Sequence, residues 1–223
     1  MNKAILISVQ PYWCQNICYR IGEYAEDLPI YKKGVEIRKT RPKIETPFKA
    51  YIYCTKDKKH TFFPPISQQV LNETPHIDRR GNGKVIGEFI CDDIAKIIKD
   101  GSRFIAEGRT EAETNHIARS SCLDFDAMKK YLGVKDGYAW HISSLVIYDK
   151  PKKLSDFYII DNAAVKQCKY RERIYNNPDF TNNALLPGSY VCNKGEVDWC
   201  NKCKTKPLTS PPQSWCYVEE LSE

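Results

Sequence analysis

The sequence has no apolar run approaching the ~18–20 residues needed to cross a bilayer. Its start, Met1-Asn2-Lys3 followed by Ala4 to Val9, has too short an apolar stretch for a secretion signal, and no small-residue cleavage site follows. A cytoplasmic protein is therefore expected. The glycines form no phosphate-binding loop, and there is no Gly-x-Ser-x-Gly elbow. The four histidines, His60, His76, His116 and His141, share no spacing, so each is expected to be structural. His141 is the one that a strand beside a cleft would turn inward. No internal repeat and no low-complexity tract is present. Charge of one sign is not extreme either: the net charge is +6 and the pI about 8.7, which alone does not establish nucleic-acid binding.

What is present is a core-forming composition. Hydrophobic residues make up 42% and aromatics 12% of 223 residues, enough for one elaborated domain or two small ones. Cysteine is plentiful, at ten. Without a secretion signal these thiols are expected to be reduced, buried or metal-bound, not a disulfide framework.

One stretch concentrates the charge: Ile30 to Lys43, Ile-Tyr-Lys-Lys-Gly-Val-Glu-Ile-Arg-Lys-Thr-Arg-Pro-Lys. From Val35 to Thr40 apolar and polar residues alternate, the period of a half-buried strand. Val35 and Ile37 are expected to face a core, and Glu36, Arg38 and Thr40 the opposite side. Lys33 lies just before, where Gly34 permits a bend. A solvated edge strand protected by its charges would use the same pattern. Between Tyr31 and His60 ten Lys or Arg stand against three acids, a candidate polyanion-facing patch. Arg79, Arg80 and Lys84 form a smaller basic cluster.

Around this stretch the chain alternates strands and short helices. Ala4–Val9 reads as a buried strand. A helix follows from Tyr12 to Tyr24, with Trp13, Ile17 and Ile21 inward and Cys14 and Cys18 on one face as small buried hydrophobes. Phe48 to Thr55 and Lys84 to Cys91 are strands. Asp92 to Lys99 either extends the latter or forms a turn and a further strand. Thr110-x-x-Glu113 has capping-box form before a helix from Glu111. Asp124 caps another, with Phe125, Met128 and Leu132 inward and Gly133 ending it. Gly137 to Tyr148 reads as one long strand stopped by Asp149-Lys150-Pro151, and Gln213 to Glu219 as the final strand.

Cys200-Asn201-Lys202-Cys203 is a C-x-x-C, with Cys192 eight residues earlier. A tetrahedral zinc site needs four ligands, and Cys168 is the best fourth; Cys216 is the alternative. A structural zinc would support a segment with few apolar residues. A redox C-x-x-C or free thiols would give the same spacing.

The order strand, helix, basic strand, aromatic strand, further strands, helix, long strand resembles the ASCH domain, a small family of the PUA-like superfold. Lys33, Glu36 and Arg38 match its Gly-x-Lys-x-x-Glu-x-Arg signature, and Tyr31 stands at the glycine position. The flanking Arg38-Lys39-Thr40-Arg41-Pro42 supports the match, and the Trp140-His141-Ile142-Ser143 strand and the closing Pro211-Pro212-Gln213-Ser214-Trp215-Cys216-Tyr217-Val218 resemble versions common in Firmicutes and their phages. The resemblance implies an α+β fold: a small mixed β-barrel flanked by short helices, over residues 1–162. Residues 56–83 form an insertion, 163–207 a Cys-rich insertion, and 208–223 the last strand returning to the barrel. It implies RNA, nucleotide or modified-nucleoside binding in a cleft beside the signature strand. Lys33, Glu36, Arg38, Lys39, Arg41 and Trp140 are the expected nucleic-acid-binding residues, Trp140 as a stacking face or as core. Some members resemble amidohydrolases of acylated cytidine or ribonucleases. Were this chain an enzyme, Lys33 and Glu36 would be its catalytic pair. Glu36, however, stands where the amidohydrolases carry a threonine, and Ser121-Cys122 fall near the place of their acid.

Overall fold

The computed structural model describes residues 3–18, 33–65, 72–73, 78–101, 103–160, 171–173, 190–192 and 205–221. In chain order the strands are β1 (Lys3–Val9), β2 (Val35–Arg38), β3 (Phe48–Cys54), β4 (Lys84–Cys91), β5 (Ile94–Asp100), β6 (Arg103–Ala106), β7 (Gly137–His141) and β8 (Ser143–Lys152). They continue as β9 (Tyr158–Ile160), β10 (Arg171–Arg173), β11 (Tyr190–Cys192), β12 (Thr205–Pro207) and β13 (Trp215–Glu219). Among the described residues, α1 (Pro11–Cys18), α2 (Glu111–Ser121) and α3 (Phe125–Leu132) are the α-helices described end to end. None of the described helices is long and apolar enough to cross a membrane.

The fold is mixed α+β, with short helices around two main sheets. One sheet has the order β13-β1-β3-β4-β8, the other β2-β7-β5-β6. Within them only β1 and β3 run parallel, and the connection between them carries α1 and β2. The chain passes between the sheets four times, from β1 to β2, from β2 to β3, at Asp92-Asp93 and at Ile142, and the last two are tight corners that join the sheets directly.

Three apolar clusters hold these layers. Ile5, Ile7 and Val9 of β1 pack with Cys14 and Ile17 of α1, Phe48, Phe89 and Trp140 on the inner side of the first sheet. Leu6, Tyr51, Tyr53 and Val85 pack on its other side under Phe157 and Leu208. Because β1 and β3 are covered on both faces, their sequences read as continuous apolar runs. Val35, Ile37, Ala95, Ile97 and Ala139 of the second sheet meet Met128 and Leu132 of α3. Full burial of a side chain such as Ile37 is worth about 1.5–3 kcal/mol.

Local chemistry fixes the helix ends as expected. Thr110 and Glu113 form the reciprocal capping box of α2, and Asp124 accepts from Ala127 N at the start of α3. Asn82 closes the turn after the 56–83 segment: it accepts from Phe62 N and donates to His60 O, both at 2.8 Å.

Two expectations are corrected. The stretch Gly137 to Tyr148 is not one strand. It breaks at Ile142, whose N–H still donates to Gly34 O at 2.8 Å in line with the β2–β7 register, and beyond it the chain pairs with β4, so β7 and β8 lie in different sheets. Ser144 then takes a left-handed φ of 47° where the β4–β8 register slips between the Glu88–Val146 and Ile90–Ser143 pairs, the extra residue of a bulge. Nor does Asp149-Lys150-Pro151 stop the strand. β8 runs on to Lys152 because it is an edge strand, where proline costs no ladder hydrogen bond. The region from Asp92 resolves as a turn and a new strand.

Candidate functional site

β2 is an edge strand, yet all four of its residues are buried. Val35 and Ile37 point to the helix layer as the alternation required. Glu36 and Arg38 point the other way, where α1 and the first sheet cover them, so the charged face is interior and not solvated. Lys33, Glu36 and Arg38 are only 2%, 8% and 4% exposed.

The three form a chain of charges. Glu36 Oε1 lies 3.0 Å from Arg38 Nη2, and Oε2 lies 3.3 Å from Lys33 Nζ. Backbone carbonyls take further donors of the two cations. Lys33 Nζ donates to Ser121 O at 2.7 Å, at the end of α2. Arg38 Nη2 donates to Ser8 O at 2.9 Å and Nη1 to Ser214 O at 3.1 Å. Lys33 also sits 5.0 Å from the centroid of the Trp13 ring. Its own N–H donates to Asn16 O at 3.0 Å, and Gly34 N donates to Ser120 O at 2.9 Å, so α1 and α2 both fix the entry to β2. Two cations share one carboxylate, which leaves the interior site with an excess positive charge.

Glu36 pairs in register with Trp140 of β7, so the two side chains share one face of the sheet. The Trp140 ring is fully buried, edge-on to Phe48 at 5.6 Å and tilted against Trp215 at 6.0 Å. It is core and presents no open stacking face; what it offers the site is its indole N–H. Two buried donors here have no hydrogen-bond partner, Arg38 Nε and Trp140 Nε1, and Glu36 Oε2 has none beyond its ion pair with Lys33. Buried polar atoms in folded proteins are normally paired, so two orphaned donors beside one carboxylate require a reason.

Lys39 and Arg41 are exposed beyond the end of β2. The loop that carries them is tied down by Trp215 Nε1, which donates to Thr40 Oγ1 at 2.9 Å. Lys39 Nζ stands 5.1 Å from the Tyr131 ring centroid. The basic window is thus not one surface patch. Lys33 and Arg38 are inside, and Lys49 is paired with Glu88 and Glu220 at 3.2 and 3.3 Å. In the second cluster Asp78 pairs with Arg80 and Lys84.

His141 does not turn toward Glu36. Its Nδ1 lies 2.6 Å from Asp92 Oδ1 at the corner between the sheets, half-exposed. Sequence reasoning missed Ser8 and Ser214 and named Ser121 only for a different role. All three meet the site through main-chain carbonyls, which carry no side-chain signal; Ser214 adds its hydroxyl, 3.4 Å from Arg38 Nη1. Tyr131 escaped because its place over Lys39 depends on tertiary packing.

Of the four proposed zinc ligands, Cys168, Cys200 and Cys203 lie outside the described residues, and of Cys192 only its place on β11 is described. Among the described residues no group of His, Cys, Asp or Glu is arranged to hold a metal. Among the described residues Cys14, Cys18, Cys54, Cys91, Cys122 and Cys216 form no disulfide. Burial pushes the Cys14 thiol well up, with Cys54 adding to it, and pushes Cys91 up to about 12.

No family model and no curated protein matches this chain. Among solved structures it is similar to the ASCH protein of Zymomonas mobilis, at 16% identity over 68% of this chain and 73% of that one, with a TM-score of 0.40. Two point variants of the same protein are similar at 16% identity, covering 69% and 66% of this chain and 77% and 70% of theirs, with TM-scores of 0.40 and 0.35.

Proposed function

We propose that this chain is an ASCH-type domain that binds RNA or a nucleotide, reading a base at Glu36, Arg38 and Trp140 and holding phosphate with Lys39 and Arg41. The carrying observation is the pair of buried donors without a hydrogen-bond partner, Arg38 Nε and Trp140 Nε1, beside the Glu36 carboxylate that β2 places across from Trp140 of β7. A nucleobase edge offers donors and acceptors at this density. The excess positive charge of Lys33 and Arg38 over Glu36 favours an anionic ligand. Lys33 acts by positioning: it holds Glu36 against the end of α2. Because Arg38 is committed to two carbonyls and a carboxylate, the phosphate-facing role passes to the exposed cations outside it.

Binding is favoured over hydrolysis of a modified nucleoside or of RNA. Glu36 is engaged by two cations. The Ser121 hydroxyl donates to Ala118 O. The Cys122 thiol is raised by burial, which Lys33 offsets only in part. None of the three is an activated nucleophile.

The test is a fluorescence titration of single-stranded RNA at about 50 and 200 mM salt. Binding is expected to weaken as salt rises and to weaken again in Arg38→Lys, whose ammonium cannot replace the guanidinium fork. Affinity that is absent, or indifferent to salt, sinks the proposal. Turnover of acylated cytidine abolished by Lys33→Ala would establish the hydrolase instead.

A further inference from the structure

We infer that Tyr131 is a stacking platform for a second base, so that the ligand is a single-stranded nucleic acid and not a lone nucleotide. This rests on the reading of the Glu36–Arg38 site given above. Tyr131 is 37% exposed on the last turn of α3, whose remaining apolar residues turn inward as Met128 and Leu132. Lys39, the residue after Arg38, reaches it with Nζ 5.1 Å from the ring centroid, and the charges of Arg38 and Glu36 act on its hydroxyl. A ring so placed adjoins the end of β2 and is not a remote surface group.

The electrostatic setting suits a strand. Lys39 Nζ covers the Tyr131 ring at 5.1 Å. Lys129 and Lys130 precede Tyr131 in the same helical turn, and Arg41 follows on the tethered loop. An ammonium over a tyrosine face is worth only about 0.5–1 kcal/mol at an exposed site. A stacked base is worth about 1–3 kcal/mol. Lys39 therefore acts as a place-holder. It occupies the ring face in the free protein, yields it to the incoming base, and moves to the phosphate between the two nucleotides. The Trp215–Thr40 hydrogen bond keeps its loop within reach of both positions.

The test compares two probes, a short labelled single-stranded RNA and an unlabelled nucleoside monophosphate used as competitor. Tyr131→Ala is expected to weaken the oligonucleotide by about tenfold. Tyr131→Phe is expected to keep it, and neither variant to move the mononucleotide. Lys39→Ala is expected to lower the salt slope of oligonucleotide binding by about one. If Glu36→Gln weakens the oligonucleotide while Tyr131→Ala leaves it unchanged, the platform is overturned and the interior site stands. The platform alone is also overturned if the oligonucleotide binds no tighter than the mononucleotide. If the wild-type chain binds neither probe, both readings fall.

Discussion

Glu36 and Trp140 stand directly across from one another on β2 and β7; the Trp140 indole N–H is buried without a hydrogen-bond partner, while the Glu36 carboxylate is held by two cations. An unsatisfied buried donor costs about 1–3 kcal/mol. Trp140→Phe removes that donor while keeping an aromatic ring between Phe48 and Trp215. The relieved penalty is expected to offset much of the packing loss. Denaturant unfolding should show a far smaller change than the ~3–5 kcal/mol of a truncation to alanine. RNA affinity should fall in the same variant, because the atom kept unpaired in the free protein is lost.

Removing the carboxylate should do the opposite. Glu36→Ala leaves Lys33 and Arg38 facing each other's charge at 2% and 4% exposure. Breaking a buried ion pair from one side costs about 3–5 kcal/mol. The expected result is a large drop in unfolding free energy, with Glu36→Gln falling between it and wild type. A Glu36→Ala variant as stable as wild type would mean that the cations are not confined as described.

Gly87 tests the approach of β4 to β8. A Cβ there would collide with Val146 O and come within 3.2 Å of Ile147 Cα. Both are backbone, so neither yields easily. Gly87→Ala is expected to cost about 1–3 kcal/mol, the usual range for overpacking, and thermal unfolding measures it.

The corner between the sheets should be acid-sensitive. Burial alone raises the Asp92 pKa, but the hydrogen bond and charge of His141, with further hydrogen bonds, outweigh it and hold the carboxyl below its ordinary value. A depressed folded pKa means stability that is present above the unfolded aspartate value of about 3.9 and lost as pH falls through the lower, folded one. Asp92→Asn should therefore melt below wild type at neutral pH, and the gap should close as pH is brought below about 4.

Much of this fold was legible where local rules and packing agree. The capping box at Thr110 and Glu113, the Asp124 cap and the apolar alternation of Val35 and Ile37 all fell where the sequence placed them. The same alternation separated Glu36 and Arg38 from Val35 and Ile37. It was silent on what would cover the second face. Period-2 patterning distinguishes the two sides of a strand, not water from a second buried layer. The break at Ile142 was equally hidden. Gly137 to Tyr148 has uniform strand propensity, and the switch of sheets follows from partners far away in sequence, β2 and β5 before Ile142 and β4 after it. The site partners escaped for the same reason: a serine that contributes its carbonyl looks like any other serine.

Arg38 takes one of its anchors from Ser214, 176 residues later in the chain. A growing polypeptide thus carries its signature arginine for most of its synthesis with that carbonyl still unmade. Loop closure over so long a span is a slow event in folding. Recognition by the interior site therefore cannot precede completion of the fold, and a nascent or clipped chain that retains every residue of the signature strand should still be blind to its ligand.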